Sequence, residues 1–201
     1  MNSEQQYISL YNDSSELIKS HSADVMNSLR DSAFESFKQL GFPSRKVERY
    51  KYTDMQELFA PDYGLNLKRL DIPVDPYEAF RCDVPNLSTS LYFVVNDQFY
   101  TKALPKVNPG NGIIVDSLCH AAKEYPELVG KYYGKIAKSG EDAVTALNTM
   151  LAQDGLFVYV PKNAKADRCI QVINILRSDV NLMVNRRVLI VLDEGAEAKF
   201  L

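Results

Sequence analysis

The residue types that most often carry chemistry are few in this sequence, and their spacing does not match a familiar kind of site. The chain has two histidines, His21 and His120, and three cysteines, Cys82, Cys119 and Cys169. Cys119 and His120 are adjacent, but neighbouring residues of a helix point about 100° apart and chelate one metal ion poorly. The sequence contains no CxxC, HxxxH or HExxH spacing. We therefore predict no catalytic, cofactor-binding or metal residue, and reduced thiols rather than disulfides.

Carboxylates near the end of the sequence are the other candidates for chemistry. Asp193-Glu194 and Glu197 could act as general acid and base if they faced one another across a substrate. However, the first two fall between two strand patterns, which is typical of a solvent-exposed turn. The sequence also lacks a G-x-S-x-G nucleophile elbow and a phosphate-binding P-loop. We therefore predict that this chain is not an enzyme.

Composition and charge argue against several classes of protein. The 201 residues are 46% hydrophobic and 24% charged, which is enough apolar content for a buried core. The net charge of −3 argues against nucleic-acid binding, which needs a basic face. One basic cluster is typical of a solvated surface: Arg45, Lys46, Arg49 and Lys51. Because no apolar stretch has membrane-spanning length and the first residues lack a signal-peptide pattern, we expect no membrane contact and a cytoplasmic location.

Residues 1–59 are predicted to form an N-terminal helical region. Apolar residues recur every three or four positions over residues 25–40, with Ser22 as the N-cap and Gly41 ending the helix. A shorter amphipathic helix is expected before it. Residues 60–90 contain four prolines that interrupt every periodic pattern. This composition predicts an extended connection that packs over the body of the protein.

The next region, residues 91–155, is predicted to be mixed α/β. Two apolar runs flank Asn96-Asp97, which indicates a β-hairpin over residues 91–104. A further short strand is expected at residues 112–115.

Three helices are expected to follow this strand. Asp116 is the expected cap of the first, and the second should cover residues 126–136. Asp142 is the expected N-cap of the third, which has apolar residues on one face and should close at Gly155.

Residues 156–201 are predicted to begin a β-rich core. Three runs rich in β-branched residues are separated by turn residues: 156–160, 170–176 and 188–192. The last five residues, 197–201, alternate polar and apolar side chains and stop inside a strand pattern. A strand edge without a partner favours pairing with another chain. We therefore expect a fragment of a longer protein or a final strand that pairs elsewhere, with self-association through this open C-terminal strand as one outcome.

Four passages of the sequence share their order with one protein family. They are the E-x-aromatic-K-Y-T block at residues 48–53, the hairpin at 91–104, the "LN…DG-apolar-VP" passage at 142–161 and the "RR-apolar-DEGA" passage at 186–196. Together they resemble the SufB/SufD family of iron–sulfur cluster assembly proteins. The first block favours the SufD side of that family. Two residues depart from the family pattern, Tyr50 standing for its Trp and Asp97 for its turn Gly.

The resemblance implies both a fold and a function. The fold is α+β: a helical N-terminal region, a small mixed sheet with helices, and from residue 156 the first turns of a parallel β-helix. The function is a non-catalytic scaffold of the SUF system that acts with SufB and the ATPase SufC, with clusters built on SufB. The family's functional Cys and His positions lie beyond this sequence, so no metal or catalytic residue is carried over from it.

Two alternatives from other classes stay open. A carbohydrate-active β-helix enzyme would need a cluster of carboxylates on one face of the solenoid. A stand-alone protein-binding module would instead use the face of the N-terminal helices.

Overall fold

The chain folds as a helical N-terminal part followed by two small sheets with helices packed against them. The computed structural model describes residues 3–70, 75–79, 89–102, 109–179 and 181–201. Its α-helices are α1 (Ser3–Ser20), α2 (Asp24–Asn27), α3 (Arg30–Leu40), α4 (Met55–Leu58), α5 (Pro76–Ala79), α6 (Leu118–Glu124), α7 (Pro126–Tyr132) and α8 (Ala143–Leu151). Its strands are β1 (Thr89–Val95), β2 (Gln98–Phe99), β3 (Ile114–Ser117), β4 (Asp154–Val160), β5 (Cys169–Ile175) and β6 (Arg186–Leu192). The mixed α+β class predicted from the sequence is confirmed.

The N-terminal helices differ from the prediction at one turn. The single helix expected over residues 25–40 is broken, because α2 ends at Asn27 and α3 begins at Arg30. Ser22 is not the N-cap; Ala23 holds that position, and the Ser22 hydroxyl accepts a hydrogen bond from the Arg30 guanidinium at 2.8 Å. The break allows Arg30 to turn into the core. The preceding helix α1 has 18 residues and α3 has 11, so the expectation of a shorter first helix is also wrong.

Capping was predicted correctly at Gly41 and Asp142. Gly41 follows the end of α3 with a positive φ of 59°, where an L side chain would be strained. Asp142 caps α8 by accepting a hydrogen bond from the N–H of Thr145 at 2.9 Å. Gly155, however, does not close this helix, because α8 ends at Leu151 and Gly155 lies in β4.

The first sheet has the order β2-β1-β5. The predicted hairpin turn is confirmed, with Val94 paired to Phe99 in antiparallel register and a positive φ at Asn96. The second strand is shorter than predicted, because β2 ends at Phe99 and residues 100–102 lie outside any strand. β1 then pairs in parallel with β5, from Thr89 with Cys169 onward. The end of the predicted hairpin, residues 103–104, lies outside the described residues.

The second sheet has the order β3-β4-β6. β3 runs antiparallel to β4, and β4 runs parallel to β6 with Asp154 opposite Arg186. Asp116 was expected to cap a helix but lies inside β3; Ser117 caps α6 instead, accepting from the N–H of His120 at 3.1 Å. At Gly155 the two parallel strands approach so closely that a Cβ atom would lie 1.8 Å from the carbonyl oxygen of Arg187. Only glycine fits this position.

The described side chains form three buried clusters. The first lies among α1, α3 and α8 and includes Tyr7, Phe37 and Met150. The second lies between the helices α6 and α7 and one face of β4 and β6. The third lies between the two sheets, where the other face of β4 meets β1 and β5. Burial of each large apolar side chain contributes about 1.5–3 kcal/mol.

The connection predicted at residues 60–90 is partly visible. Gly64 bridges to Leu182, and Leu65 and Leu67 pack against the first cluster, so this part covers the body as expected. Two details differ: residues 76–79 form the short helix α5, and Leu70 is exposed rather than buried. Residues 71–74 and 80–88 lie outside the described part of the chain. The boundaries of the four predicted regions stay a prediction.

The final residues pair with the chain on one side. Glu197 bridges in parallel to Lys165, and Phe200 bridges in parallel to Ile170. Ile170 donates its N–H to Lys199 O at 2.8 Å and accepts from the N–H of Leu201 at 3.0 Å. Residues 197–201 therefore pair with the segment that leads into β5 and with the first half of β5 itself. In the described residues, no helix has both the length and the apolar content needed to cross a membrane.

Candidate functional site

The adjacent Cys119 and His120 have different partners. Cys119 is buried at the start of α6, with its Sγ 3.5 Å from His21 O and 3.8 Å from Arg69 Nη1. His120 is exposed, and its Nδ1 lies 2.6 Å from Asp116 Oδ2. This hydrogen bond raises the pKa of His120 above its usual value. The thiol and the imidazole are thus not arranged to share a metal ion or to form a nucleophile–base pair.

The other sulfur atoms do not complete a metal site within the described residues. Cys169 begins β5 and is partly exposed as a free thiol. Cys82 lies outside the described residues. Among the residues described, no group of three or more His, Cys, Asp or Glu side chains is placed to hold a metal ion.

We predict that the purified chain is colourless and binds neither iron nor zinc stoichiometrically. The physical reason is that a stable site needs three or four ligands held close together. Elemental analysis after incubation with each metal is the measurement. One metal per chain, lost in a Cys119→Ser variant and retained in an Asp13→Ala control, would contradict the prediction.

Asp154, the first residue of β4, is the centre of the most highly connected polar cluster near Cys119. Its carboxylate accepts hydrogen bonds from Ser117 Oγ at 2.7 Å, Cys119 N at 3.0 Å and Phe99 N at 3.1 Å. Arg69 Nη2 donates a fourth bond at 3.2 Å and forms an ion pair with it. We call this cluster the Asp154 junction. It joins β4 to β2, to the β3–α6 turn and to the segment that precedes residue 70.

A cleft of about 680 Å³ opens beside the Asp154 junction. Its walls carry His120, Lys123 and Thr101 in addition to members of the junction. Because four donors occupy the Asp154 carboxylate and Asp116 is bonded to His120, neither carboxylate is free to act as a general base. The two carboxylates that line the cleft are therefore held in hydrogen bonds between elements of the fold.

Asp97, at the hairpin turn, is a buried carboxylate with an unusual pKa. Its side chain is almost fully buried, and its Oδ1 has no hydrogen-bond partner among the described residues. Its pKa is raised to about 6, chiefly by burial; a backbone hydrogen bond and Arg69 oppose this shift, and nearby Asp154 adds to it. Arg186 also lies near enough to interact with its charge.

This pKa predicts a pH-dependent stability. Between about pH 4 and pH 6 the folded chain keeps the Asp97 proton while the unfolded chain loses it, so stability falls as pH rises through this window. An Asp97→Asn variant should be more stable than the parent by about 1–2 kcal/mol at pH 8 and equal to it near pH 4. Urea unfolding at several pH values measures this. An equal change at both pH values would show that the charge is not responsible.

The candidate carboxylates at the end of β6 are separate from one another. Asp193 accepts a hydrogen bond from the Tyr159 hydroxyl at 2.6 Å. Glu194 pairs with Lys162 at 2.6 Å, and Glu197 pairs with Lys165 at 2.7 Å, both at exposed positions. This arrangement fits a solvated turn and does not bring two carboxylates together across a substrate.

The basic cluster near residue 48 is also a solvated surface. Arg45 pairs with Asp54 at 3.4 Å, and Arg49 pairs with Asp142 at 3.4 Å. The nearby Tyr50 is half-buried against the first core cluster and donates its hydroxyl to Asp142. Carboxylates thus balance the charge of this face, which does not favour a phosphate-binding patch.

Within the described part of the chain, the outer edge of β6 carries apolar side chains that no other strand covers. β6 is a terminal strand of its sheet, and three of its apolar side chains are uncovered. Val188 is 60% exposed, Ile190 42% and Leu192 43%. We call this row of residues, with its free strand edge, the β6 edge. An exposed apolar strand edge is a ready template for pairing with another chain.

Sequence reasoning missed both the Asp154 junction and the β6 edge. Asp154-Gly155 looked like the turn after a helix, and only the register of β4 places the carboxylate among four donors. The run 188–192 predicts a strand but does not indicate which of its edges is covered. Its place at the edge of a sheet depends on which strands pair with it, and composition carries no signal for that.

Comparison with known proteins gives the family context. Residues 1–172 match the family model described as the SufBD protein N-terminal region. The chain is 31% identical over 193 residues to the chloroplastic iron-sulfur cluster assembly SufBD family protein ABCI8 of Arabidopsis thaliana, covering 89% of this chain and 34% of that protein. It is 29% identical over 184 residues to the family protein ABCI9 of the same plant, covering 84% and 39%. It is 26% identical over 179 residues to the iron-sulfur cluster assembly protein SufD of Bacillus subtilis, covering 87% and 40%. The chain thus spans between 34% and 40% of the length of these three curated relatives.

Proposed function

This chain belongs to the SufBD family, and from that premise we propose that it is a non-catalytic scaffold component of the SUF system, acting with SufB and the SufC ATPase. Membership of the family implies a role in iron–sulfur cluster assembly. The observation that carries the proposal is the family match over residues 1–172, the greater part of the 201-residue chain. The clusters themselves are the cargo of this process and are not expected to reside on this chain.

A SufD-like role, rather than that of a cluster-building subunit, is the finer part of the proposal. The E-x-aromatic-K-Y-T block at residues 48–53 supports it, as does the similarity to the Bacillus subtilis protein named SufD. The arrangement of the chemical side chains agrees with a scaffold, since Cys119 and His120 have separate partners and Asp154 is fully occupied. Because the chain spans less than half of its relatives' length, the partners SufB and SufC are proposed for the assembly as a whole.

The finer fold proposal is that residues from 156 onward form the first turns of a parallel β-helix. Its support is a repeated spacing between parallel neighbours. Asp154 pairs with Arg186, 32 positions later, and Lys165 bridges to Glu197, also 32 positions later. The two pairings lie on opposite sides of the buried cluster between the sheets. A β-helix coil of about 32 residues would place parallel neighbours on both sides in this way.

Three further points complete the proposal. We propose the cytoplasm as the place of action, since no helix of the described residues has the length and apolar content needed to cross a membrane. We also propose self-association at the C-terminal part of the chain, where residues 197–201 have one side free of the pairing to Lys165 and Ile170. The carbohydrate-active alternative is not favoured, because the described carboxylates of this region are dispersed in separate ion pairs.

The proposed function is tested by co-expression of the tagged chain with SufB and SufC from the same genome. We expect SufB and SufC to co-purify with the chain and the cluster to be found on SufB. If SufB and SufC form their complex without the chain, and the yield of cluster is the same with and without it, the proposed scaffold role is wrong.

A further inference from the structure

The cleft beside the Asp154 junction lies between the β1–β2 hairpin, the strand β3 and the helix α6. Its volume of about 680 Å³ falls within the range of about 300–1,000 Å³ that is typical of small-molecule sites. None of the described residues that line it belongs to β6 or to 197–201. Because β4 separates β3 from β6 in their sheet, a further coil stacked on β6 would lie at the opposite edge of that sheet and would not cover the cleft.

The carboxylates that line the cleft are already occupied. Both oxygens of Asp116 are bonded, Oδ1 by the N–H of Ser117 at 2.7 Å and Oδ2 by His120 Nδ1 at 2.6 Å. Both oxygens of Asp154 are bonded as well, by the four donors of the junction. A ligand that enters the cleft therefore meets no carboxylate oxygen without a donor among the described lining residues.

The donors that line the cleft are not all occupied. His120 and Lys123 are three positions apart on α6, so their side chains lie on the same side of the helix. The bond between His120 Nδ1 and Asp116 leaves Nε2 as the ring nitrogen that can bind a ligand. Neither the Lys123 ammonium nor the Thr101 hydroxyl has a hydrogen-bond partner among the described residues. The cleft thus offers donors from α6 and from the segment that follows β2.

His120 keeps its positive charge to a higher pH than a free imidazole does. Its hydrogen bond to Asp116 raises its pKa above the usual value, and partial burial opposes this shift. Two further charges on α6 act on it: Glu124 raises the pKa and Lys123 lowers it. The imidazole is therefore a cationic donor over part of the pH range in which a free histidine is neutral.

The charges that line the cleft sum to a positive value when His120 is protonated. Arg69, His120 and Lys123 are the cations, and Asp116 and Asp154 are the anions among the described lining residues. Each anion is bonded to a cation, Asp154 to Arg69 and Asp116 to His120. The ammonium of Lys123 remains without an acidic partner in the cleft. An anion is therefore attracted to this site and a cation is repelled from it.

We propose that this cleft binds a phosphate group, with Lys123 and His120 donating from α6 and Thr101 donating from the segment after β2. A phosphate monoester carries a charge of about −1.5 to −2 at pH 7 and three terminal acceptor oxygens, which suits three donors. A carboxylate offers a single charge and two oxygens, so it would leave a donor unused. The site does not depend on the proposed role in iron–sulfur cluster assembly.

Histidine NMR of the 201-residue chain tests the site, because the chain has two histidines and one of them is an internal control. Titration with glycerol 3-phosphate or inorganic phosphate should shift the ring signals of His120 to saturation. The signals of His21, which does not line the cleft, should stay unchanged. Tighter binding of the ester would identify phosphate carried on a small molecule, and equal binding would identify free phosphate. Succinate should bind about tenfold more weakly; if it binds as tightly as both phosphates, the assignment to phosphate is wrong.

Substitution of Lys123 tests which residues form the site. Lys123→Gln should weaken phosphate binding about tenfold, because a charge-assisted hydrogen bond is lost. The matched control Lys135→Gln, at an exposed lysine outside the cleft, should bind as the parent chain does. Both lysines are exposed, so both variants should keep the fold, which urea unfolding checks. An equal effect of the two substitutions, or His120 signals that neither phosphate shifts, overturns the proposal.

The pH dependence of binding tests the part played by His120. Sulfate is the probe, because it is a tetrahedral dianion whose charge stays constant in this pH range, whereas phosphate titrates. His120 is protonated below its raised pKa, so sulfate affinity should fall as the pH rises through that pKa. In a His120→Gln variant the affinity should be lower at acidic pH and should not change with pH. Equal sulfate affinity of the parent chain at about pH 6 and about pH 9 overturns the role of His120 in the proposal.

Discussion

Replacing Arg30 with alanine is expected to lower the free energy of unfolding by about 3–5 kcal/mol. The side chain is 0% exposed. Its guanidinium donates to Met150 O at 2.8 Å and Ala152 O at 2.6 Å, and also to Ser22 Oγ and Asn27 Oδ1. Burial lowers the pKa of this guanidinium, which reflects the desolvation that the four hydrogen bonds offset. Removal would leave those acceptors unpaired in an apolar surrounding.

The effect should be large because Arg30 completes the C-terminal end of another helix. Met150 and Ala152 are at the end of α8, where carbonyl groups have no partner within the helix. A cation placed there also interacts favourably with the helix dipole. The Arg30 side chain therefore fastens the N-terminal helices to the element that leads into β4.

Urea denaturation of three variants separates packing from hydrogen bonding. Arg30→Met keeps much of the side-chain volume but cannot donate, so it should recover only a small part of the loss seen in Arg30→Ala. The exposed Arg45, which forms a surface ion pair with Asp54, is the matched control and should lose less than about 1 kcal/mol as alanine. A loss below about 1 kcal/mol in Arg30→Ala would show that water replaces the guanidinium without penalty.

The elements that could be predicted from the sequence are those whose signals are local. Asp142 caps a helix through a bond to a residue three positions away, and Gly41 ends one through its own φ. The Asn96-Asp97 turn joins two strands that are adjacent in the sequence. In each case the stabilising contact is made within a few residues, so the pattern of residue types contains it.

The features that could not be predicted depend on contacts between distant parts of the chain. The break between α2 and α3 follows from the bonds of Arg30 to carbonyls about 120 residues away, whereas an arginine in a helical pattern normally indicates a solvent face. Gly155 looked like a helix C-cap, but the close approach of Arg187 from β6 is what requires a glycine there. Both are tertiary effects that override local propensity.

The candidate sites also divide into features set by neighbouring residues and features set by contacts between distant parts of the chain. The different partners of Cys119 and His120 follow from their adjacency on a helix, which is a local fact. The β6 edge could not be predicted, because an apolar run of this kind is buried when its strand lies in the centre of a sheet and exposed when it lies at the margin.

Replacing Asp154 with alanine is the second substitution for which we expect a loss of about 3–5 kcal/mol. The carboxylate is 1% exposed and accepts from Ser117, Cys119, Phe99 and Arg69. Its removal leaves two buried backbone N–H groups without an acceptor and Arg69 without its ion-pair partner. Because these donors come from β2, the β3–α6 turn and the segment before residue 70, the loss should loosen all three attachments at once.

The measurement that identifies this mechanism is amide hydrogen exchange alongside urea denaturation. Protection of the Phe99 and Cys119 amides should fall more than that of residues in α3, which lies away from the junction. An Asp154→Asn variant should recover part of the stability, since its carbonyl oxygen still accepts while its NH₂ group faces donors. Asp13→Ala, at an exposed position of α1, is the control and should change stability by less than about 0.5 kcal/mol. Uniform loss of protection across the chain in Asp154→Ala would show that the junction does not act as a local attachment.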